Sequence, residues 1–339
     1  MIEVKKEFLD EAKAIHAESI IIDGHCDTIL QMLPRIGVPD WKPRSILVRS
    51  DRGHVDLPRL MESHVTCQFF AIYTEPIYKP LKATARALEM MATFYEEVEK
   101  SEGKIIIVNN SKEIYKAKKE GKLAALISME GGEPIQHNPI ILRMFHKLGL
   151  RALSLTWNER NMLADGVGES RAQSKLTELG LKALEEASKL KILIDVSHLS
   201  DSCFWDLVEN FKNPIIASHS NARAICNHRR NLTDEQLKAI AERGGVIGIN
   251  FSSSFIVSGG RATIEDLIKH IDHMANVIGV KHVGLGSDYD GISSTPIGLE
   301  DVSKLPNLTA KLLEHGYSKS DVKKILGENF LRVISEVMG

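Results

Sequence analysis

The sequence of 339 residues has little cysteine and no long hydrophobic run. Its four cysteines are Cys26, Cys67, Cys203 and Cys226. They are too few for a disulfide framework in a chain of this length and include no C-x-x-C pair, so we expect reduced thiols. The longest apolar runs, such as 123–127, are far shorter than the roughly 20 residues of a membrane-spanning helix. Residues 1–18 lack the apolar core of a secretion signal. We therefore expect a cytoplasmic protein that does not associate with a membrane.

The sequence also lacks an excess of charge of either sign and a glycine-rich phosphate loop. Lys and Arg number 43 against 45 Asp and Glu, a formal net charge of -2, which argues against nucleic acid as a partner. The first strand-like run, 19–25, leads into His-Cys-Asp, where an open dinucleotide-binding sheet usually has its Gly-rich loop. Because 43% of the residues are hydrophobic, the chain can bury a large core.

Eight strand-like runs alternate with amphipathic helical stretches along the chain. The predicted strands are 19–25, 65–73, 123–129, 152–157, 192–197, 214–219, 246–251 and 283–288. The predicted helices are 82–100, 140–148, 175–190, 201–210, 234–243, 264–278, 319–326 and 328–337. This alternation predicts a parallel sheet closed into a (β/α)8 TIM barrel, with an open doubly wound sheet as the main competitor. We expect residues 1–339 to form one barrel domain, in which 28–63 is a long excursion without a clear pattern.

Potential metal ligands stand at five of the eight predicted strand ends, where such a barrel has its active face. His25 and Asp27 end the first strand and point to the same side, because side chains two apart on a strand do. The other four strand ends carry Glu130, His198, His219 and Asp288. Imidazoles and carboxylates suit a divalent metal such as zinc. Each histidine alone is more often a structural residue, and their equivalent positions are what favour a metal site.

These residues offer more ligands than one four-coordinate zinc needs. Two metals that share Glu130 as a bridge are the economical arrangement. Such a pair, about 3.5–4 Å apart, can hold a hydroxide as nucleophile at neutral pH. Asp288 is then left to take a proton from that water and pass it to a leaving group.

The same residues lie in motifs that resemble those of the membrane dipeptidase (renal dipeptidase) family. The motifs are Asp23-Gly24-His25-Cys26-Asp27, Met129-Glu130-Gly131-Gly132, Asp195-Val196-Ser197-His198, Ser218-His219-Ser220-Asn221, Arg229-Arg230-Asn231 and Gly286-Ser287-Asp288-Tyr289-Asp290-Gly291. The resemblance extends from about residue 19 to residue 333. It implies an amidohydrolase-like barrel that cleaves dipeptides with two zinc ions, in some members with a D-residue at the C-terminal position. It also makes a homodimer plausible, for which the sequence has no feature of its own.

The resemblance also implies a role for each matching residue. One zinc ion would be held by His25, Asp27 and Glu130, and the other by Glu130, His198 and His219. Asp288 would handle the proton and receive the free amine of the substrate. Arg230 would bind the substrate carboxylate, which its guanidinium fork matches, although a surface charge is the simpler interpretation of a basic run. Tyr73 would reach the same carboxylate, unless it is only an interior aromatic residue.

The sequence departs from the family at Trp157, where many relatives have a histidine thought to polarise the scissile carbonyl. An indole offers one N–H donor and no charge, and loss of one oxyanion donor can cost around 10²–10³ in turnover. Either the Trp157 N–H substitutes for that histidine, or a nearby side chain does, or the preferred substrate differs. The nearby candidates are Asn158, Arg160 and Asn161.

Two smaller departures lie at Cys26 and Phe255. Relatives often have Asn at the position of Cys26, which strand alternation turns away from the ligand pair, so we expect a buried and inert thiol. Phe255 follows the seventh strand, where relatives place a tyrosine, and would make that side of the pocket more apolar.

The sequence thus predicts a zinc dipeptidase for substrates with a free terminal carboxylate. Two alternatives stay open. The same site could act on another carboxylate-bearing amide or a lactone, for example an N-acyl amino acid. The protein could also bind metal with little turnover, because Trp157 replaces the family histidine.

Overall fold

The computed structural model describes residues 4–38 and 40–339, in which nine strands alternate with thirteen α-helices. The strands are β1 Ile22–Cys26, β2 Cys67–Tyr73, β3 Ile105–Ile107, β4 Leu123–Glu130, β5 Leu150–Ser154, β6 Leu193–Asp195, β7 Ile215–Ala217, β8 Val246–Ile249 and β9 Val283–Leu285. The helices are α1 Lys6–Glu18, α2 Leu57–Glu62, α3 Ala83–Lys100, α4 Ser111–Glu120, α5 Leu142–Lys147, α6 Glu178–Lys189, α7 Asp201–Asn210, α8 Asp234–Glu242, α9 Ser253–Ile256, α10 Ile264–Ile278, α11 Leu305–Glu314, α12 Lys319–Lys323 and α13 Asn329–Met338.

Eight of the strands form a closed parallel barrel, which confirms the predicted (β/α)8 fold. The pairing order is β2-β1-β9-β8-β7-β6-β5-β4, and β4 pairs with β2 to close the ring. These eight strands are the eight that the sequence predicts. The short strand β3 was not predicted. It pairs with the first half of β4, and β5 pairs with the second half.

Five helices also escaped prediction, namely α1, α2, α4, α9 and α11. Helix α4 has a sparse apolar face, because Ser111, Ile114 and Ala117 are its only buried residues. Helix α11 begins at Leu-Pro, where the proline is tolerated because a first-turn N–H has no partner within the helix. Helix α8 begins with a capping box, in which Thr233 and Gln236 each accept a hydrogen bond from the other's backbone N–H.

Phe330 of α13 fills the barrel near the N-terminal ends of the strands. It packs with Ile22, Phe69 and Ile216 inside the ring. Gly284 on β9 leaves room for this ring, since a Cβ there would lie 2.7 Å from a Phe330 ring carbon. Because this end is filled by side chains, the C-terminal strand ends form the open face of the barrel.

The excursion after β1 is tied to this open face by the buried carboxylate of Asp290. Thr28 Oγ1 and Arg44 Nη2 donate to Asp290 Oδ2 at 2.8 and 3.1 Å, and the backbone N–H of His54 donates to Oδ1 at 2.6 Å. These bonds hold both ends of the excursion beside the strand ends.

The sequence predicts reduced cysteines and no membrane-spanning helix. All four cysteines are buried and none forms a disulfide. Across residues 4–38 and 40–339, no helix has both the length and the apolar character that a membrane crossing requires.

Candidate metal centre

The six predicted strand-end residues meet at the open face of the barrel. His25 lies on β1 and Asp27 directly after it, and Glu130 is the last residue of β4. The other three follow their strands within a short loop and are His198 after β6, His219 after β7 and Asp288 after β9. All six are buried. Neighbouring parallel strands therefore bring together residues that are up to 263 positions apart in the chain.

Glu130 lies at the centre of this group. Its Oε1 is 2.8 Å from His198 Nε2 and 3.7 Å from His219 Nε2, whereas its Oε2 is 3.6 Å from His25 Nε2. Asp27 Oδ2 lies 3.4 Å from the same nitrogen of His25. The two oxygens of Glu130 thus face two different sets of ligands, as a bridging carboxylate would.

The hydrogen bonds of His198 and His219 leave the Nε2 atoms of these two imidazoles free of protons. His198 Nδ1 donates to Asn158 Oδ1 at 2.8 Å. His219 Nδ1 is 2.7 Å from Ser218 Oγ, which itself donates to Asp195 Oδ2 at 2.5 Å and so accepts from the imidazole. Partners of this kind fix the tautomer of metal-binding histidines and direct the Nε2 lone pair at the metal.

This arrangement of donor atoms fits a divalent cation. The Nε2 atoms of His198 and His219 are only 2.9 Å apart, and both would present lone pairs to one another. His25 Nε2 is buried and has no hydrogen-bond partner. Buried polar atoms are rarely left unpaired, and a cation would satisfy all three nitrogens. Two groups have ligand atoms within metal-binding range of one another: His25 with Glu130 and His219, and His25 with Asp27 and Asp288.

Burial and neighbouring charges set the ionisation of these groups. Burial lowers the pKa of His198 to about 4, helped by Arg230, and lowers that of His219 further. Although burial opposes ionisation, His25 and His198 hold the pKa of Glu130 well below its usual range. The site therefore combines the neutral imidazoles of His198 and His219 with an ionised central carboxylate. Although burial opposes it, the negative charges of Glu130 and Asp27 raise the pKa of His25 above its usual value.

Asp288 has different electrostatic surroundings from Glu130. Burial raises its pKa to about 7, and the charges of Asp27 and Glu130 act in the same direction. Its Oδ2 accepts a hydrogen bond from Asn250 Nδ2 at 2.8 Å. A carboxyl group with a pKa in this range can accept and release a proton near neutral pH.

The centre forms the floor of a cavity of about 470 Å³, a size typical of small-molecule sites. Arg230 and Phe255 line one side of it, and Tyr73 and Trp157 line another. The rings of Tyr73 and Trp157 are 5.2 Å apart, and Trp157 lies 5.8 Å from the His198 ring. The structure thus places all three predicted substrate-contacting residues in the same cavity as the ligands.

Arg230 is a buried cavity residue, and the simpler interpretation as a surface charge is wrong. The residue is 5% exposed, whereas its neighbour Arg229 lies on the surface. Its Nη2 donates to the His219 carbonyl at 3.3 Å, and its Nε has no partner. A buried guanidinium with free donors is suited to a carboxylate ligand.

The three side chains near Trp157, those of Asn158, Arg160 and Asn161, already form other contacts. Arg160 pairs with Asp165, and Asn161 Nδ2 donates to the Leu155 carbonyl at 2.8 Å. Both line a neighbouring cavity and not the metal cavity. Asn158 reaches the metal cavity, but its Oδ1 accepts from His198. Of the three nearby candidates, Asn158 alone lines the metal cavity together with Trp157.

The residues that orient the ligands were not predicted from the sequence. Asn158, Asn250 and Ser218 each hydrogen-bond a predicted site residue, and Asp195 holds Ser218 in turn. Ser218 and Asp195 lie within the quoted motifs, which is the only signal that pointed to them. Cys26 is buried in the core outside the barrel, and burial raises its pKa, which agrees with the expected inert thiol.

A closed (β/α)8 barrel with a buried histidine–carboxylate cluster at its open face defines the class of metal-dependent barrel hydrolases. The sequence confirms this class, since the model of the membrane dipeptidase family, peptidase family M19, matches residues 9–338. The chain belongs to this family and is a metal-dependent hydrolase of peptide bonds.

Similar proteins support the assignment along nearly the whole chain. Dipeptidase verJ of Clonostachys rogersoniana is 30% identical over 97% of this chain and 87% of its own length. The structure of dipeptidase AC, a metallo peptidase of family M19, is 32% identical and superposes with a TM-score of 0.87 over 95% of this chain and 100% of that one. A metallo peptidase from Rhodobacter sphaeroides, liganded with a phosphinate mimic of L-Ala-D-Ala, is 30% identical with a TM-score of 0.86 over 94% and 100% of the two chains.

Proposed function

We propose that this chain is a dipeptidase that uses two zinc ions bridged by Glu130. The observation that carries the proposal is the convergence of three imidazole nitrogens and three carboxylates at the strand ends, where Asp27, Glu130, His198 and Asp288 line one cavity. His25, Asp27 and Glu130 would hold one ion, and Glu130, His198 and His219 the other. The unpartnered nitrogen of His25 and the facing nitrogens of His198 and His219 favour metal over a purely structural cluster.

When bound, the two zinc ions would supply Lewis-acid stabilisation of negative charge and a water acidic enough to act as a nucleophile. Asp288 would carry the proton on Oδ1, because its Oδ2 is held by Asn250. That proton would pass to the nitrogen of the cleaved peptide bond. The hydroxyl group joins the carbonyl carbon and the proton joins the amine, so one water is consumed and two amino acids are released.

Arg230 would select substrates with a free C-terminal carboxylate. Its unpartnered Nε belongs to a residue that lines the same cavity as Glu130, His198 and Asp288. Tyr73 would donate to the same carboxylate, since burial raises the pKa of its hydroxyl and keeps it protonated. We extend the proposal to dipeptides with a D-residue at the C-terminal position, because the Rhodobacter sphaeroides relative holds a mimic of L-Ala-D-Ala.

The first test combines metal analysis with a substrate panel. We expect two zinc ions per chain and hydrolysis of both L,L- and L,D-dipeptides. Turnover confined to N-acyl amino acids would replace the proposal with the alternative amide substrate. Two bound metals without any hydrolysis, and no gain of activity in Trp157→His, would instead favour a metal-binding protein with little turnover.

The second test uses the neighbouring arginines as a matched pair. Arg230→Met should raise KM for dipeptides and abolish the preference for a dipeptide over its C-terminal amide. Arg229→Met removes an adjacent but exposed charge and should leave both properties unchanged. Equal effects of the two substitutions would contradict the role of Arg230 and indicate a general effect of positive charge.

A further inference from the structure

A second guanidinium, that of Arg35, lines the same cavity. Arg35 belongs to the excursion after β1, whereas Arg230 follows β7. In the barrel order, β8 and β9 separate these two strands. The cavity therefore carries one cation on each of two distant sides, and the proposed function uses only Arg230.

Arg35 is held in place by an aromatic ring. Its guanidinium carbon lies 3.8 Å from the centre of the Trp41 ring, a stacked arrangement that arginine favours. Trp41 Nε1 donates to the Leu33 carbonyl at 2.9 Å, and its backbone N–H donates to the Val38 carbonyl at 3.0 Å. The stacking fixes the plane of the guanidinium but uses none of its N–H donors.

Those donors have no partner in the described part of the chain. Within residues 4–38 and 40–339, Arg35 forms neither an ion pair within 4 Å nor a side-chain hydrogen bond, and the carboxylates that act on its pKa are Glu75, Asp290 and Asp27. Glu75 is engaged by both sides of the Arg86 fork at 2.6 and 3.0 Å, and Asp290 by Arg44. An arginine that stacks on an aromatic ring at a cavity wall and keeps its N–H donors free is available to an incoming anion.

The position of Arg35 indicates which end of a substrate it would face. The carboxylates that act on Arg35 are Glu75, in the loop after β2, and Asp290 and Asp27, which follow β9 and β1. The carboxylates whose charges act most strongly on Arg230 are instead Asp288 and Glu130. If Arg230 binds the C-terminal carboxylate and Asp288 the free amine, the side chain of the N-terminal residue is the substrate group nearest to Arg35.

We propose that Arg35 is a specificity-determining residue that binds an acidic side chain on the N-terminal residue of the dipeptide. This inference rests on the proposed function. The apolar rim beside Arg35 supports it, because Ile36 and Ile77 line the cavity mouth and are 60% and 63% exposed. Substrate methylene groups would cover these side chains and exclude water from the ion pair, which strengthens it.

The test compares isosteric substrates that differ only in charge. We expect kcat/KM for L-Glu-D-Ala to exceed that for L-Gln-D-Ala by about 10- to 100-fold, the range of a charge-assisted hydrogen bond. Arg35→Gln should bring this ratio close to one. Arg35→Lys should give an intermediate ratio, because it keeps the charge but loses the fork.

Arg52 provides the matched control. Its guanidinium also lies over Trp41, at 5.7 Å, but it donates to the Lys42 carbonyl and does not line the cavity. Arg52→Gln should leave the Glu/Gln ratio unchanged. A wild-type ratio of one or below, or a ratio that survives in Arg35→Gln, overturns the role of Arg35 while hydrolysis of L-Ala-D-Ala still supports the dipeptidase. Hydrolysis of no dipeptide overturns both.

Discussion

At the scale of single residues, His198 and Asp288 adopt a backbone conformation that is rare for non-glycine residues. Their φ angles are 70° and 61°, in the left-handed region that costs an L-residue roughly 1–2 kcal/mol. Backbone hydrogen bonds hold both turns, from Val167 N to the His198 carbonyl and from Asp288 N to the His25 carbonyl. Strained residues of this kind concentrate at functional sites, and here the turns direct both side chains over the open end of the barrel.

Asp288 should affect turnover more than metal content. Asp288→Asn keeps the shape and the bond to Asn250 but removes the group that carries the proton. We expect kcat to fall by about 10²–10⁴, the usual contribution of general acid–base catalysis, with both metals retained. Steady-state kinetics and elemental analysis of the same preparation test this. Loss of a metal in Asp288→Asn would instead make Asp288 a ligand, which its proximity to His25 and Asp27 allows.

Asn158 should strengthen metal binding through its hydrogen bond to His198. Its Oδ1 accepts the Nδ1 proton of His198, and removal of such a partner typically weakens metal binding 10–100-fold. We therefore expect Asn158→Ala to release zinc to a competing chelator at correspondingly lower chelator concentration. Asn158→Asp keeps an oxygen acceptor and should retain the affinity. Equal zinc affinity in wild type and Asn158→Ala, or equal loss in both variants, would contradict this role.

At the scale of elements, the sequence was sufficient for the features that depend on local patterns. Each barrel strand is an apolar run, and the ligands follow the runs directly, so that His25, Glu130 and His219 could be placed on one face before any contact was known. Helix α4 and strand β3 could not be predicted, because each buries few side chains and depends on its neighbours. The contact of Asn158 with His198 joins two loops, and no spacing within the sequence encodes it.

Ion pairs between the segments that follow β2, β4 and β5 lie beside Tyr73 and Trp157, the two aromatic residues on one side of the cavity. Lys79, in the loop after β2, lies 3.1 Å from Glu133 and 3.0 Å from Glu159. Its Nζ is also 5.3 Å from the Tyr73 ring centre and 5.5 Å from that of Trp157. One largely buried ammonium thus links the segments that follow β2, β4 and β5, beside the two aromatic rings.

Removal of this ammonium should destabilise the protein. Lys79→Met leaves the buried Glu133 without its cation, and breaking a buried ion pair in this way costs about 3–5 kcal/mol. We expect urea unfolding to show a loss of this order, and Lys79→Met combined with Glu133→Gln to recover part of it. Lys82→Met, at an exposed position nearby, should change stability little. Similar losses for Lys79→Met and Lys82→Met would show that the Lys79–Glu133 pair contributes no more to the free energy of unfolding than an exposed lysine does.

At the scale of the whole molecule, His16 joins segments from both ends of the chain. It lies on α1 and is fully buried. Its Nδ1 donates to the Ser63 carbonyl at 2.8 Å, and its Nε2 accepts from Thr309 Oγ1 of α11 at 2.7 Å. Burial keeps this imidazole neutral, and with Nδ1 carrying the proton, Nε2 is the acceptor of the threonine hydroxyl.

The neutral state of His16 predicts how stability depends on pH. Burial lowers its pKa from 6.5 to about 4, so between these values the unfolded chain binds a proton that the folded chain does not. The free energy of unfolding should therefore be unaffected by His16 above pH 6.5 and fall by about 3 kcal/mol as the pH approaches 4. His16→Gln cannot titrate and should be less stable than wild type at pH 7.5. Because the other histidines titrate in both proteins, the difference between their free energies of unfolding in urea isolates His16. This difference should shrink by about 3 kcal/mol between pH 6.5 and 4. A constant difference would show that the folded protein tolerates a charged His16.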